Sequence, residues 1–303
     1  MEFIKPGINI DFVGKMKIAI IFSVTLSLLS IASVIWHGGL NLGIDFAGGT
    51  LIQIRFQQDT TTDKIRNALK STPLATSIIQ QFASNEFLIR TAESFSESKM
   101  LSDQVEKPLD ASFGKGAYEV RRVEMVGAKV GQNFQKKAIL AVILSWIAML
   151  AYISWRFEFR YALGGIIALI HDVIIVVGAL SILNKEFTIT ILAALFTIIG
   201  YSINDTIVVL DRIRENVRKD PKHVLRHVIN LSINQTLSRT ILTAFTVFLA
   251  VLALYTFGGP VIHDFAFALL VGVVFGTYSS IFISIPIVLL FENIKPLRGK
   301  RKK

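Results

Sequence analysis

The stretch Phe187-TITILAALFTIIGYSINDTIVVL-Asp211 is apolar enough to cross a bilayer, yet Asn204 and Asp205 lie within it. About 20 residues at ~1.5 Å rise span a hydrocarbon core of ~30 Å, so the run reads as a transmembrane helix. An ionised side chain at that depth is costly, about 3 kcal/mol on insertion scales and more in simulations. A chain that keeps a carboxylate there uses it to bind or pass a cation, or to hydrogen-bond a neighbouring helix. The surroundings favour the first use. Tyr201 and Ser202 precede Asp205 by four and three residues and share its helix face, and Thr206 adjoins it. Gly200 permits close approach of a neighbour. Burial disfavours the charged form of any carboxylate, which suits a group that takes up and releases protons.

The rest of the 303-residue chain is of the same kind. Its hydrophobic residues make up 52% and its mean hydropathy is +0.56, values that exclude an ordinary soluble domain. Six runs are long enough to span: 16–36, 138–155, 161–183, 188–210, 240–257 and 261–291, the last long enough to extend past the interface. Trp36, Trp146, Trp155, Tyr161 and Tyr255 fall mostly near their ends, as an aromatic belt would place them. The first run is longer than a signal-peptide core, ends in Trp36-His37 and is followed by no small-residue cleavage site, so it reads as an uncleaved anchor.

Net charge is +10, which raises the question of nucleic acid. The charge is in the wrong place for it. Of 32 Lys and Arg, 18 fall in four clusters: Lys5, Lys15 and Lys17; the Arg156–Arg160 turn; the 212–239 stretch; and the tail from Lys295. The large segment 37–137 holds 13 basic and 11 acidic residues and is nearly neutral. Positive charge beside the spans is a topology signal. It predicts cytoplasmic segments at 1–15, 156–160, 211–239 and 292–303, with both termini inside and 37–137, 184–187 and 258–260 outside. With no cysteine in the chain, disulfides and thiolate metal sites are excluded, and no cofactor or metal set is expected.

The outer segment 37–137 has a pattern of its own, with a core expected at 43–124. Residues 50–56 alternate as a strand. Residues 61–71 read as a helix capped by Thr62-Asp63 and ended by Pro73. Residues 77–82 and 86–91 form a hairpin across Ser84-Asn85. Residues 96–109 make a second helix, with Met100, Leu101 and Val105 apolar, and 118–125 a last strand. The order β-α-β-β-α-β is the ferredoxin-like unit. No catalytic grouping is present in it. The expected fold is therefore a six-span helical membrane protein with an α+β ferredoxin-like domain between the first two spans.

Several stretches together are similar to the SecF family of protein-export membrane proteins, relatives of the resistance–nodulation–division transporters. They are Gly43-IDFAGG-Thr50, Ile170-HD-Val173, Ile199-GYSINDTIVVLDRIREN-Val217, Asn234-QTLSRT-Ile241 and Gly276-TYSS-Ile281. The resemblance implies residence in the bacterial inner membrane and a partner, SecD, with a matching six-span unit. It implies assistance to the SecYEG channel, with YajC as a further partner, exported polypeptide as substrate and the proton-motive force as energy source. It maps Asp205 onto a proton-pathway aspartate and Arg239 onto an arginine of the same pathway, and makes Gly43, Asp45, Phe46, Gly48 and Gly49 the family motif of the outer domain. One departure is Val126-GAKV-Gly131, where the family often has proline in place of Ala128, so that Ala128 lacks a fixed φ.

Other polar residues have two readings each. Arg239 alone reads as a snorkelling interfacial arginine. His171-Asp172, in mid-span, is a self-satisfied pair or a proton relay. His263 and Asp264 lie at the outer end of the last span, as interfacial groups or a proton entrance. The charges of Asp211-RIREN-Val217 read as a solvated helix with pairs one turn apart. Gly272, Gly276 and Ser280 have the spacing of a close helix contact, within the chain first and with SecD second. The basic tail 298–303 reads as a topology signal or lipid contact. Two other functions compete with export: a half-transporter moving lipids or small molecules on the same proton cycle, and an intramembrane aspartyl hydrolase. The last needs a close carboxylate dyad, and neither Asp172 nor Asp205 sits in a Gly-x-Gly-Asp stretch.

Overall fold

The computed structural model describes residues 8–92, 102–157, 159–219 and 224–294. Lys5, Lys222, the start of the expected second domain helix (with Met100 and Leu101) and the tail from Lys295 lie outside these. The chain forms two compact units. One comprises residues 1–41, 141–185 and 190–303; the other comprises 42–140 and 186–189.

The helical unit draws on α1 (Phe12–Trp36), the later part of α5 (Ala128–Arg156), α6 (Phe159–Ile182), α7 (Ile189–Lys219), α8 (Leu225–Phe257), α9 (Pro260–Phe282) and α10 (Ser284–Ile294). Among the described residues six helical stretches are long and apolar enough to cross a membrane, and the protein is a multi-pass membrane protein. Asp11 caps α1, its carboxylate accepting from Gly14 N at 2.8 Å. Gly259, at φ +74°, turns the chain between α8 and α9, and Pro260 opens α9, where its missing N–H costs nothing. The last apolar run is not one helix. It breaks at Ile283 between α9 and α10. Pro286 has no N–H to offer the carbonyl of Phe282 four residues back, and its ring would clash there. The break brings the Ser284 carbonyl against Gly164 of α6, where an added Cβ would lie 2.7 Å from that oxygen.

Helix also extends past the apolar stretches. The region 211–239 is mostly the end of α7 and the start of α8, and α5 begins at Ala128, well ahead of its apolar part. Lys, Gln and Arg are good helix formers, so a hydropathy boundary underestimates helix length. Ala128 stands at the first helical position, where proline is also tolerated, so α5 starts there without it.

In the second unit a four-stranded antiparallel sheet has the order β2-β3-β1-β4. Its strands are β1 (Gly49–Phe56), β2 (Ile78–Ala83), β3 (Glu86–Thr91) and β4 (Tyr118–Val126), with α3 (Thr62–Ala68) and α4 (Lys107–Phe113) in the crossovers. This is the ferredoxin-like arrangement. Alternation in β1 buries Ile52, Ile54 and Phe56, which pack with Ile65, Leu69, Phe87, Ile89, Val105 and Leu109. Phe56 is ringed by Phe87, Phe113 and Tyr118 at 4.9 to 5.9 Å. Asn85 at φ +58° makes the tight turn between β2 and β3. The cap of α3 is Thr61, which accepts from Lys64 N, one residue earlier than the sequence pattern indicates. Among the described residues the second crossover is helical from Ser102 to Phe113, with a π turn at Ser102–Glu106, and Gly114 at φ +90° ends it.

Candidate functional site

Two buried carboxylates occupy the helical unit, and their surroundings differ. Asp172 on α6 is 1% exposed. Its Oδ2 accepts from Ser202 Oγ of α7 at 2.6 Å and from Ser279 Oγ of α9 at 2.9 Å. Its Oδ1 lies 3.1 Å from His171 Nδ1. One carboxylate thus ties together α6, α7 and α9. Asp205, on α7 one turn past Ser202, is 3% exposed, and its Oδ2 has no hydrogen-bond partner. Thr206 beside it is fully buried with its hydroxyl likewise unpartnered. Arg239 on α8 is close enough for its charge to act on Asp205, but among the described residues it forms no salt bridge with it. Arg239 itself is exposed in the single chain.

The remaining residues expected at the site divide. Tyr201 is half-buried, with its hydroxyl 3.1 Å from Thr277 Oγ1 of α9. Ser202 serves Asp172, not Asp205. Asn204 is exposed, turned away from the polar interior. No hydrogen bond joins Asp172 to Asp205 among the described residues. Such an arrangement can hold a proton or cation at Asp205 while Asp172 keeps its neighbours in register. A buried acid without a partner is expensive, and one with three is a structural clasp.

The small-residue stripe is used within the chain. A Cβ on Gly272 would fall 2.3 Å from Ile198, and one on Gly276 3.1 Å from Ser202, so both glycines press α9 onto α7. Ser280 is fully buried and donates to the Thr277 carbonyl. This face is covered, and a partner chain must use another. On the same helix α9, Ser279 reaches Asp172 of α6. The sequence pattern marked Gly276-TYSS-Ile281 as a block without assigning Ser279; a hydroxyl three residues after a packing glycine was the available signal.

The charged end of α7 keeps Asp211, Arg218 and Lys219 exposed, and its Asn216 side forms a seam to α8. Asn216 Nδ2 donates to Ser232 Oγ and Gln235 Oε1 at 2.9 and 2.7 Å, and Arg212 Nε donates to Gln235 Oε1 at 2.7 Å. Glu215 binds Arg212 and Lys219 on its own helix. Asn230 and Asn234 of α8 clamp the chain entering α1: Asn234 Oδ1 accepts from Ile10 N at 2.8 Å and Asn230 Oδ1 from Phe12 N at 2.9 Å. Asp264 on α9 pairs with Lys185, and the His263 ring lies 4.1 Å from that of Tyr255.

In the second unit, the segment Gly43–Thr50 packs against residues 186–189 of the same unit. Asp45 begins the one-turn helix α2 (Ile44–Ala47), and its Oδ2 accepts from Ile189 N at 2.9 Å, the first residue of α7. A carboxylate at a helix N-terminus satisfies an orphan donor and faces the positive end of the helix dipole. Gly43 N donates to the Phe187 carbonyl at 2.9 Å, and the Phe46 and Phe187 rings are 5.6 Å apart. Gly48 and Gly49 have positive φ and face Ala128 and the Thr91 carbonyl so closely that no Cβ fits. Arg90 of β3 binds Glu186 and donates to the Leu42 carbonyl. Burial holds the Arg90 guanidinium below its ordinary range. No group of three or more His, Asp or Glu able to hold a metal occurs among the described residues.

Comparison with known proteins fits this layout. A family model described as protein export membrane protein SecD/SecF, C-terminal, matches residues 105–294, and one for the SecD/SecF GG motif matches residues 33–60. A protein translocase subunit SecF from Magnetococcus marinus is 45% identical over all of this chain and 97% of its own length. One from Calditerrivibrio nitroreducens is 43% identical over 97% of this chain and 98% of its own. Among solved structures, a SecDF from Thermus, described as a translocon-associated membrane protein, superposes with a TM-score of 0.85 at 36% identity over 95% of this chain. A SecDF in a super-membrane-facing form superposes with a TM-score of 0.71 at 36% identity. The chain spans 39% of the length of the first SecDF and 40% of the second. It belongs to the SecD/SecF family of protein export membrane proteins.

Proposed function

We propose that the chain is an accessory subunit of the Sec translocase that works with SecD and uses the proton-motive force to promote export of preproteins through SecYEG. The observation that carries this reading is the buried, unpartnered Oδ2 of Asp205 within reach of the charge on Arg239. A proton taken up there neutralises an expensive charge, and its release restores the attraction to Arg239. One charge crossing 100 mV supplies about 2.3 kcal/mol, enough to shift a helix-packing equilibrium roughly fiftyfold.

Asp172 of α6 and Ser279 of α9 form the anchor to which Ser202 ties α7, and His171, Tyr201 and Thr206 line the polar interior. Asn204 faces outward from the same turn and is the group we assign to the SecD side. On the outer side, Asp45 accepts from Ile189 N, the first residue of α7. Movement at Asp205 is then passed along one helix, about 24 Å from residue 205 back to residue 189 at ~1.5 Å per residue. YajC is a further partner of the assembly, and no catalytic chemistry is assigned. Residues 37–137 lie outside the bacterial inner membrane and both termini in the cytoplasm, as the basic clusters require.

The test is export of a secreted precursor in cells carrying Asp205→Asn. Expected is a protein that inserts and binds SecD but gives no proton-dependent stimulation. Full stimulation by the variant would overturn the proton role. Accumulation of a lipophilic compound with normal precursor export, on depletion of the chain, would transfer the function to small-molecule transport.

A further inference from the structure

A cavity of about 580 Å³ opens where the start of α1, the start of α8 and α10 meet. Its walls are apolar: Met16 and Ile20 of α1, and Pro286 and Leu289 of α10. Two cations line it, Lys17 from α1 and Arg226 from α8; both are exposed, and neither has an acidic partner among the described residues. The volume lies within the ~300–1,000 Å³ of ordinary ligand sites. Nothing in the export reading uses it.

The combination selects its ligand. An apolar-walled cavity between transmembrane helices, with two positive charges on its lining that have no acidic partner among the described residues, is complementary to a molecule with an anionic head and a hydrocarbon tail. A second protein helix would leave Lys17 and Arg226 unpaired unless it brought acids to match, and a small soluble anion would leave the apolar walls wet. From this complementarity we infer that the cavity is a binding site for an anionic phospholipid, its phosphate on Lys17 and Arg226 and an acyl chain along Leu289. The lipid fills the gap between α1 and α10. In the proposed orientation this is the cytoplasmic leaflet, where anionic lipids are concentrated.

The experiment is native mass spectrometry of the purified full-length chain, released from detergent with phosphatidylglycerol or phosphatidylcholine. The unmodified chain should retain phosphatidylglycerol about tenfold better, and Lys17→Gln with Arg226→Gln should remove that preference while leaving phosphatidylcholine adducts unchanged. Leu289→Trp fills the cavity and keeps both cations; it too should lose the phosphatidylglycerol adduct, and it decides the matter where the double variant does not accumulate. Equal retention of the two lipids overturns the inference, as does unchanged retention in the variants that accumulate. So does displacement of phosphatidylglycerol by excess inorganic phosphate, which would mark a simple anion site, or exclusion of lipid by co-purified SecD. Binding in micelles is independent of membrane orientation and of export, so either reading can fail without the other.

Discussion

Asp172 and Asp205 are both carboxylates sunk among apolar helices, but the first is fully engaged and the second is not. Three side chains from three positions converge on Asp172, while Oδ2 of Asp205 meets none. The lesson is that depth alone does not identify a working charge. A buried acid held by several donors contributes to one packing arrangement; a buried acid left open has its free energy tied to whatever next supplies a proton or a cation.

The strongest way to break this comparison is Asp205→Asn. It should abolish proton-dependent export stimulation, a loss of tenfold or more, with thermal unfolding in detergent unchanged within error. A large fall in stability would mean that Asp205 is a clasp like Asp172. Next comes Asp172→Ala, which strands the Ser202 hydroxyl and leaves Ser279 only the Gly276 carbonyl; a buried donor left unsatisfied costs about 1–3 kcal/mol, visible as a lowered unfolding temperature. An unchanged temperature would show that the hydroxyls re-pair and that the clasp has no energetic role. Gly272→Val should cost about 1–3 kcal/mol by overpacking against Ile198, and should loosen Ser279 from Asp172 without touching either acid. The smallest effect is expected at Asp45→Ala, about 0.5–2 kcal/mol for a lost helix cap. Protease digestion should then cut earlier near residues 186–189; an unaltered digestion pattern would separate the Asp45 cap from the stability of the start of α7.

Legibility in the sequence was uneven. Asp205 was readable because a carboxylate in an apolar run of spanning length violates the composition around it. Asp172 was readable as a pair with His171, but its true donors, Ser202 and Ser279, are 30 and 107 residues away, and no local pattern joins them. The strands of the small domain were plain from alternation, and the hairpin from Ser84-Asn85. The cap at Thr61 and the break at Ile283 were displaced or missed, because helix ends depend on which backbone groups find partners. Asp45 read as a motif residue of the outer domain, and only the fold gave it Ile189 N to bind.

What the sequence determined by itself is the medium and the class of structure. Hydropathy fixes which segments leave water, alternation and turn residues fix the small sheet, and a misfit carboxylate marks the candidate site. Tertiary structure alone decided which polar groups are partnered. Hydrogen bonds act over about 3 Å and link helices far apart in the chain, so the same aspartate in the same apolar run becomes a clasp or a free acid according to what its neighbours place beside it.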